Sequence, residues 1–495
     1  MLPINCGSHA DYQNFVVTNL RKYYPNSNAL ARSTWDIIER FWNLDLSFTD
    51  TFMADKYSKF GPAPRTPSCM QRSYLLSIDF KVTSLTEWAA QLKMNPLYAI
   101  LSRFEPDNTP GVGTFYDFFN RLWISDDDHM SPHIHPLKTK VKKPKTKGTK
   151  ADSVEKVTVA DLLPTLEKTD FKLDKQPYSS LFKIYQKEFL EISVSTGLTH
   201  AYSLALAGDG TPVVTSHRER KKRICKCKEN GIHDCNCDRY FSQPDCDIGW
   251  DSSRDCYYHG YDLYMLVDSQ SDLPVFPHFS CASKHDSHGF LHAFFRMKSF
   301  LPEYSVSKVL LDSAHDAMPY YQYFKCENIT PFINLNGKGG RPPVYKNDFT
   351  IDKDGVPICP SGYRMRRDGI EVAKGRMKFK CPKISHADGC ISCTCKKPCS
   401  NAKYGRTVHL VLKDNPRLFN NPPRSSKEWK LEYNAGTSAE RSNKREKLDF
   451  KPEDGRHRST KMWYCRLYHI LMLQHLDAWD LPPESPLKKL ILNAG

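Results

Sequence analysis

The sequence has no long hydrophobic run. No stretch approaches the roughly 20 consecutive apolar residues that a membrane-spanning helix needs, and the first thirty residues do not join a basic start to an apolar segment as a secretory signal does. These absences predict a soluble chain that is not exported and does not contact a membrane. In a reducing compartment its 17 cysteines are better interpreted as thiols and metal ligands than as disulfides, because many have C-x-C or C-x2-C spacing.

The charge of the chain is unbalanced towards basic residues. Lys and Arg number 71 against 56 Asp and Glu, which gives a formal net charge of +15 and favours a polyanionic partner such as nucleic acid. The 40% of apolar and 12% of aromatic residues exclude a wholly disordered basic tail. A length of 495 residues allows roughly two to four domains.

Residues 1–127 are predicted to form a helical domain. Ser84 and Glu87 have the spacing of a capping box, and a second cap is predicted at Thr114. Each cap precedes apolar residues at helical spacing: Leu85, Trp88, Ala89 and Leu92, then Phe115, Phe118, Phe119 and Leu122. Two short helices around a turn would suit a helix-turn-helix DNA reader, with Arg121 as a DNA contact. An ordinary helical subdomain explains the same periodicity equally well.

Residues 128–178 are predicted to form a flexible basic linker. The segment is rich in Pro, His and Lys, and seven lysines lie between Lys138 and Lys150 with almost nothing apolar to bury. Such a linker is either simply solvated or lies along phosphates without reading base sequence.

The pattern changes to strands in residues 179–335, the predicted first part of an α/β domain. The predicted strands are 200–207, 261–267, 273–279, 308–311 and 331–334, with helices at 288–300 and 317–324. The first three strands suggest a meander, and the alternation that follows predicts a mixed sheet. A Cys-rich segment, 217–256, interrupts this part.

Residues 336–425 are rich in Gly, Pro, Lys and Cys, and they are interpreted as an insertion with a small fold of its own. Regular structure resumes in residues 426–495, the predicted second part of the α/β domain. Residues 439–447 are compatible with a helix, and 461–479 predict a strong C-terminal helix rich in Leu, Met and aromatic residues.

Three acidic residues stand where a mixed sheet presents its functional site. Asp209 is predicted to follow the first strand, Asp312 follows the fourth, and Glu440 lies on a later helix. In a basic protein, carboxylates at strand ends suggest metal-assisted phosphoryl transfer, since hard cations need carboxylate oxygens. Taken singly, each acid is equally explained as a turn residue or helix cap. Their order and context favour a catalytic set.

With these motifs, the sequence resembles the DDE transposases of bacterial insertion sequences. The resemblance covers most of the chain, through RFEPDNTPGVGTFYDFFNRL, GDG, GYDLYMLVDSQSDLPVFPHF followed by KHDS, VLLDSAHD, and the final glutamate helix. It implies a ribonuclease H-like catalytic domain in which Asp209, Asp312 and Glu440 form the catalytic triad and bind Mg²⁺ or Mn²⁺. It also implies double-stranded DNA, both element ends and target, as the partner, a homodimer that pairs two ends, and a bacterial cytoplasmic, nucleoid-associated location.

Related transposases carry a Y-x2-R-x3-E-x6-K signature around the glutamate. Tyr433, Glu440 and Lys447 match its spacing, whereas Gly436 replaces the arginine. The resemblance implies that Tyr433 and Lys447 contact DNA, and the nearby Arg441 or Lys444 can supply the positive charge that Gly436 lacks. A solvated helix residue is the alternative interpretation of Lys447.

Two cysteine clusters have the spacing of structural zinc sites, in which close pairs supply two corners of a tetrahedron. The first contains Cys225, Cys227, Cys235 and Cys237, with Cys246 and Cys256 after them. The second consists of Cys359, Cys381, Cys390, Cys393, Cys395 and Cys399. Each cluster has six candidates, so the four ligands stay undecided, and reduced thiols in irregular loops are the alternative.

The sequence therefore predicts a transposase that cleaves DNA and transfers the strand by metal-dependent chemistry. A DNA-binding protein with a degenerate, non-cutting catalytic domain is the main alternative. A zinc-dependent nucleic-acid hydrolase is a third, although the all-cysteine clusters look closed rather than catalytic.

Overall fold

A computed structural model describes most of the chain. The described residues are 7–25, 30–58, 60–132, 134–135, 157–215, 222–223, 225–237, 239–240, 243–337, 349–385, 392–455, 457–480, 487 and 490–491. The predicted lysine-rich segment and Cys390 lie outside them. Within them the protein is a mixed α/β structure with a helical N-terminal region.

Seven helices build the N-terminal region: α1 (His9–Tyr23), α2 (Arg32–Asn43), α3 (Ser47–Met53), α4 (Pro67–Asp79), α5 (Leu85–Met94), α6 (Pro96–Leu101) and α7 (Val112–Leu122). Ser84 caps α5 as predicted, since its side chain accepts a hydrogen bond from the Glu87 backbone. The predicted cap at Thr114 is wrong, because α7 begins at Val112 after Gly111. The two predicted helices are also not neighbours around one turn, because α6 lies between them.

Three further helices, α8 (Val159–Glu167), α9 (Ser179–Tyr185) and α10 (Glu191–Ser195), lead into the sheet. A π-helical turn, Gln186–Leu190, joins α9 to α10. Helix α8 forms inside the segment predicted as a flexible linker. Its cap is a reciprocal box between Thr158 and Asp161, and Leu163 and Leu166 bury the apolar side of the helix.

The main sheet has six strands: β1 (Leu204–Val214), β2 (Asp247–Asp251), β3 (Cys256–Asp268), β4 (Pro274–Cys281), β5 (Val306–Leu311) and β6 (Thr330–Ile333). The order is β2-β3-β1-β5-β6, and β4 also pairs with β3. Strand β3 runs antiparallel to β1 and β4, which confirms the predicted meander. Strands β1, β5 and β6 are parallel, with Ala207 opposite Leu310. The carboxyl ends of β1 and β5 therefore lie at one edge.

Strand β1 does not end where the sequence predicts. The sequence predicts a strand at 200–207 that ends before Gly208. In the structure residues 201–203 form a single 3₁₀ turn, and the strand continues through Gly208, Asp209 and Gly210. These glycines instead admit close neighbours. A Cβ on Gly208 would lie 2.8 Å from the Tyr264 hydroxyl, and one on Gly210 would lie 2.5 Å from Asp286 Oδ1.

Helices cover both faces of the sheet: α11 (Asp286–Phe300), α12 (Met318–Cys326), α13 (Lys427–Asn434), α14 (Thr437–Arg445) and α15 (Thr460–Ala478). Since side chains alternate along a strand, Gly210 faces Asp286 of α11 while Asp209 faces Asn443 of α14. Helix α15 is buried along nearly its whole length and packs against α4, α9 and β4. One hydrophobic core thus joins the N-terminal helices to the sheet.

The Cys-rich insertion contains a second, separate core. Its three-stranded antiparallel sheet comprises β7 (Arg366–Glu371), β8 (Arg376–Lys380) and β9 (Thr407–Val411). Met377, Phe379 and Leu410 bury the inner side of this sheet. The other strands in the described residues have two residues each, at 134–135, 222–223, 239–240, 350–351, 357–358, 384–385 and 392–393.

Replacing Gly208 with alanine should destabilise the protein, because the added methyl group meets the fully buried Tyr264 ring. Overpacking of this kind costs about 1–3 kcal/mol, measurable as a lower free energy of unfolding in urea. Gly113→Ala is the matched control, since a Cβ there meets nothing within 4 Å and the residue lies in α7. Equal stability of Gly208→Ala and the wild type would contradict the packing role of Gly208.

Candidate functional site

The three predicted acids line one pocket at the carboxyl edge of the sheet. Asp209 comes from β1, Asp312 follows β5, and Glu440 lies on α14. The other lining residues are Gly208, Leu310, Leu311, Tyr433, Asn434, Gly436 and Thr437. Parallel pairing of β1 with β5 brings the first two acids to the same edge, and α14 carries the third across it.

Asp209 is the most buried acid of the three. Its Oδ2 accepts a hydrogen bond from Asn443 Nδ2 at 3.2 Å. Burial, and then the negative charges of Asp286, Asp312 and Glu440, raise its pKa to about 6, against an ordinary value of 3.8. Asp209 is therefore poised to gain from any positive charge that enters the pocket.

Asp312 is exposed but firmly oriented. Its Oδ1 accepts the Ala314 backbone N–H at 3.0 Å and lies 2.6 Å from His315 Nδ1. The buried His315 ring holds the Tyr264 hydroxyl 2.9 Å from its Nε2, so the ring spans from Tyr264 to Asp312. Burial is the largest influence on the pKa of Asp312 and acts to raise it, but the hydrogen bonds from His315 and the Ala314 backbone, together with the charges of His315 and His285, lower that pKa overall.

Sequence reasoning gave His315 no role. Its signal is the spacing D-x2-H after a strand, which places the ring beside the carboxylate across one 3₁₀ turn. The sequence analysis also missed two acids, Asp262 on β3 and Asp286 at the start of α11. Among the neighbouring charges, that of Asp286 raises the pKa of Asp209 most, ahead of those of Asp312 and Glu440. Asp286 stands in the KHDS segment, and Asp262 interrupts an otherwise apolar strand.

The carboxylates do not form a closed metal cage. Among the described residues, only four cysteines bring three or more ligand atoms within 4.8 Å of one another. Asp209, Asp312 and Glu440 share the pocket at wider spacing.

The first cysteine cluster forms a compact quartet, consisting of Cys225, Cys227, Cys235 and Cys237. The Sγ atoms of Cys225 and Cys235 lie 3.4 Å apart, and those of Cys227 and Cys237 3.6 Å apart. A turn through Gly231, whose φ is 76°, folds the two C-x-C pairs together. Four thiolates at this spacing could hold a structural metal such as Zn²⁺.

The geometry of the quartet identifies which four of the six cysteines in this cluster could bind one metal together. Cys246 is fully buried beside Thr215 and Gln243, and Cys256 is exposed, so neither belongs to the quartet. Hydrogen bonding to the Cys227 backbone and the Cys235 thiol lowers the pKa of Cys225 to about 7. A thiol near its pKa at neutral pH readily becomes the thiolate that binds metal.

The second cysteine cluster is looser. Cys359 and Cys381 are buried, whereas Cys393, Cys395 and Cys399 are half-buried. Burial and the neighbouring Cys393 thiol raise the pKa of Cys395 to about 11. In the part of the chain that the structure describes, these thiols do not bring three ligand atoms within 4.8 Å.

The predicted DNA-contacting residues have varied surroundings. Tyr433 lines the acidic pocket and stacks on Trp429 with ring centroids 4.9 Å apart. Arg441 binds Asp272 through two nitrogens, each 2.6 Å from a carboxylate oxygen. The Arg121 guanidinium lies over the Tyr57 ring.

Lys447 is half-buried rather than solvated, in a π-helical turn after α14, and burial lowers its pKa. Its charge acts on the carboxyl group of Asp262. The solvated-residue interpretation of Lys447 is therefore wrong.

The chain matches no protein-family model and no curated protein sequence. No helix in the described residues combines the length and the apolar character that crossing a bilayer requires.

Replacing Asp209 with asparagine should stabilise the metal-free protein at alkaline pH. The folded carboxyl group has a higher pKa than the unfolded one, so the wild type loses stability as pH rises from about 4 through about 6. Asp209→Asn removes this loss, so in EDTA it should be more stable by up to about 3 kcal/mol at pH 8 and by little at pH 4. Urea denaturation at both pH values measures this difference, with the exposed Asp107→Asn as control.

The cysteine quartet should hold about one Zn²⁺ per chain. Cys225→Ser combined with Cys237→Ser removes two of the four ligands and should abolish this zinc, measured by elemental mass spectrometry on purified protein. Cys256→Ser should retain it, because that thiol is exposed outside the quartet. Unchanged zinc in the double variant would place the metal elsewhere.

Proposed function

We propose that the chain is a DDE transposase with a ribonuclease H-like catalytic domain, which cleaves DNA and transfers the strand during movement of an insertion sequence. The observation that supports this most is the convergence of Asp209, Asp312 and Glu440 in one pocket at the carboxyl edge of a mixed sheet. These residues are far apart in sequence, and each arrives from a different element.

Asp209, Asp312 and Glu440 would hold Mg²⁺ or Mn²⁺. Such ions would activate the water or 3′ hydroxyl oxygen that attacks the phosphorus of a phosphodiester and would stabilise the leaving oxygen. The raised pKa of Asp209 is consistent with this role, because carboxylates crowded around a cation site repel one another until the cation enters. His315 would orient Asp312 for binding, as it holds that carboxylate at 2.6 Å.

Double-stranded DNA is the proposed partner, as element ends and as target. The net charge of +15 suits a polyanion, and the basic run HRERKKR directly precedes the cysteine quartet. Tyr433 would face the DNA from the pocket wall. Pairing of two element ends would use a homodimer in the bacterial cytoplasm, at the nucleoid.

A second candidate is a DNA-binding protein whose catalytic domain no longer cuts. The observation that favours it is the wide spacing of the acids, which do not gather three carboxylates within 4.8 Å in the described part of the chain. This candidate keeps the basic surface and the cysteine quartet, and it predicts DNA binding without cleavage.

The decisive experiment is cleavage of a duplex that carries the ends of the element. Wild-type protein should cut it in Mg²⁺ and leave it intact in EDTA, and Asp209→Asn, Asp312→Asn and Glu440→Gln should each lower the cutting rate by at least about a hundredfold. Binding to the same duplex, measured by electrophoretic mobility shift, should stay nearly unchanged.

Glu428→Gln is the control for cleavage, since Glu428 is exposed on the neighbouring helix α13. Metal-independent binding by wild-type protein that never cuts would support the second candidate. Full cutting by any one of the three acid variants would remove that acid from the proposed triad.

A further inference from the structure

Two carboxylates converge on the face of β1 opposite Asp209. Asp286 begins α11, and Asp262 lies on the neighbouring strand β3. A Cβ on Gly210 would lie 2.5 Å from Asp286 Oδ1 and 3.4 Å from Asp262 Oδ1, so both oxygens point over the same glycine. The missing side chain at position 210 leaves room for this pair.

Asp262 is the unusual member of the pair. Its residue is only 6% exposed, and its Oδ2 is a buried oxygen without a hydrogen-bond partner. Buried polar atoms are nearly always satisfied, so an orphan carboxylate oxygen needs a specific reason. A carboxylate buried without a partner costs several kcal/mol unless a proton or a cation neutralises it.

The charged groups around the pair are mostly acidic. Asp286 and Asp209 act on Asp262 as like charges, and Lys447 opposes them from the turn after α14. On the other side, the charges of His315 and His285 lower the pKa of Asp286, while the charge of Asp312 raises it. One lysine and two histidines thus face four carboxylates.

We propose that Asp262 and Asp286 together form a binding site for a hard divalent cation, Mg²⁺ or Mn²⁺, separate from the one assigned to Asp209, Asp312 and Glu440. Two carboxylate oxygens and several waters are a ligand set that Mg²⁺ accepts. Asp286 is half-buried, whereas Asp262 is buried. The site goes beyond the proposed DNA chemistry and does not require it.

The test is Mn²⁺ binding to the full chain, measured by calorimetry and by electron paramagnetic resonance of free Mn²⁺. Asp262→Asn and Asp286→Asn should each lose one bound Mn²⁺ per chain or bind it at least tenfold more weakly. Glu440→Gln should keep that ion, because Glu440 lies on the other face. Asp107→Asn, an exposed acid in the N-terminal region, is the matched control.

Wild-type Mn²⁺ stoichiometry and affinity in both variants would overturn the proposal, and a proton shared between the two acids would then explain the buried oxygen. If Asp262→Asn does not fold, the half-buried Asp286→Asn decides alone. If the wild-type protein does not cleave DNA but the Asp262→Asn and Asp286→Asn variants still lose one bound Mn²⁺, the proposed function is contradicted and this cation site stands.

Discussion

Burial of α15 is the packing constraint on which the rest of the structure depends. This helix is buried along nearly its whole length, because it packs against N-terminal helices and against the sheet. It also anchors α14, because Gln474 accepts the Ser442 hydroxyl at 3.1 Å and Asp477 binds Arg445 at 3.1 Å. The packed C-terminal helix therefore helps to hold Glu440 at the pocket.

Electrostatic repulsion is the cost that this arrangement imposes. The carboxyl edge of the sheet gathers acids in a chain that is basic overall, and burial removes the water that would screen them. The protein partly compensates with hydrogen-bond partners, such as Asn443 for Asp209 and His315 for Asp312. Functional sites commonly keep groups with perturbed pKa values in this way.

Periodicity predicted the meander and the helices to within a few residues, because alternation of apolar side chains reports burial directly. The predicted end of β1 at Gly208 and Gly210 is wrong, because the sequence does not distinguish a glycine that lets a neighbour pack closely from one that turns the chain. In the first cysteine cluster the sequence leaves six candidate ligands. The four that lie together are identified only by the turn at Gly231, which folds the two C-x-C pairs onto each other. Asp262 was missed because the acids that lie near it, Asp286 and Asp209, come from other parts of the sequence, so no local motif marks it.

The glycines of β1 connect both halves of the site. Without a side chain at position 208, the Tyr264 ring packs onto the strand and its hydroxyl reaches His315, which orients Asp312. Without one at 210, Asp286 approaches the strand closely enough for its charge to act on Asp209. The residues that seemed to end the strand are thus the ones that let carboxylates on opposite faces influence each other.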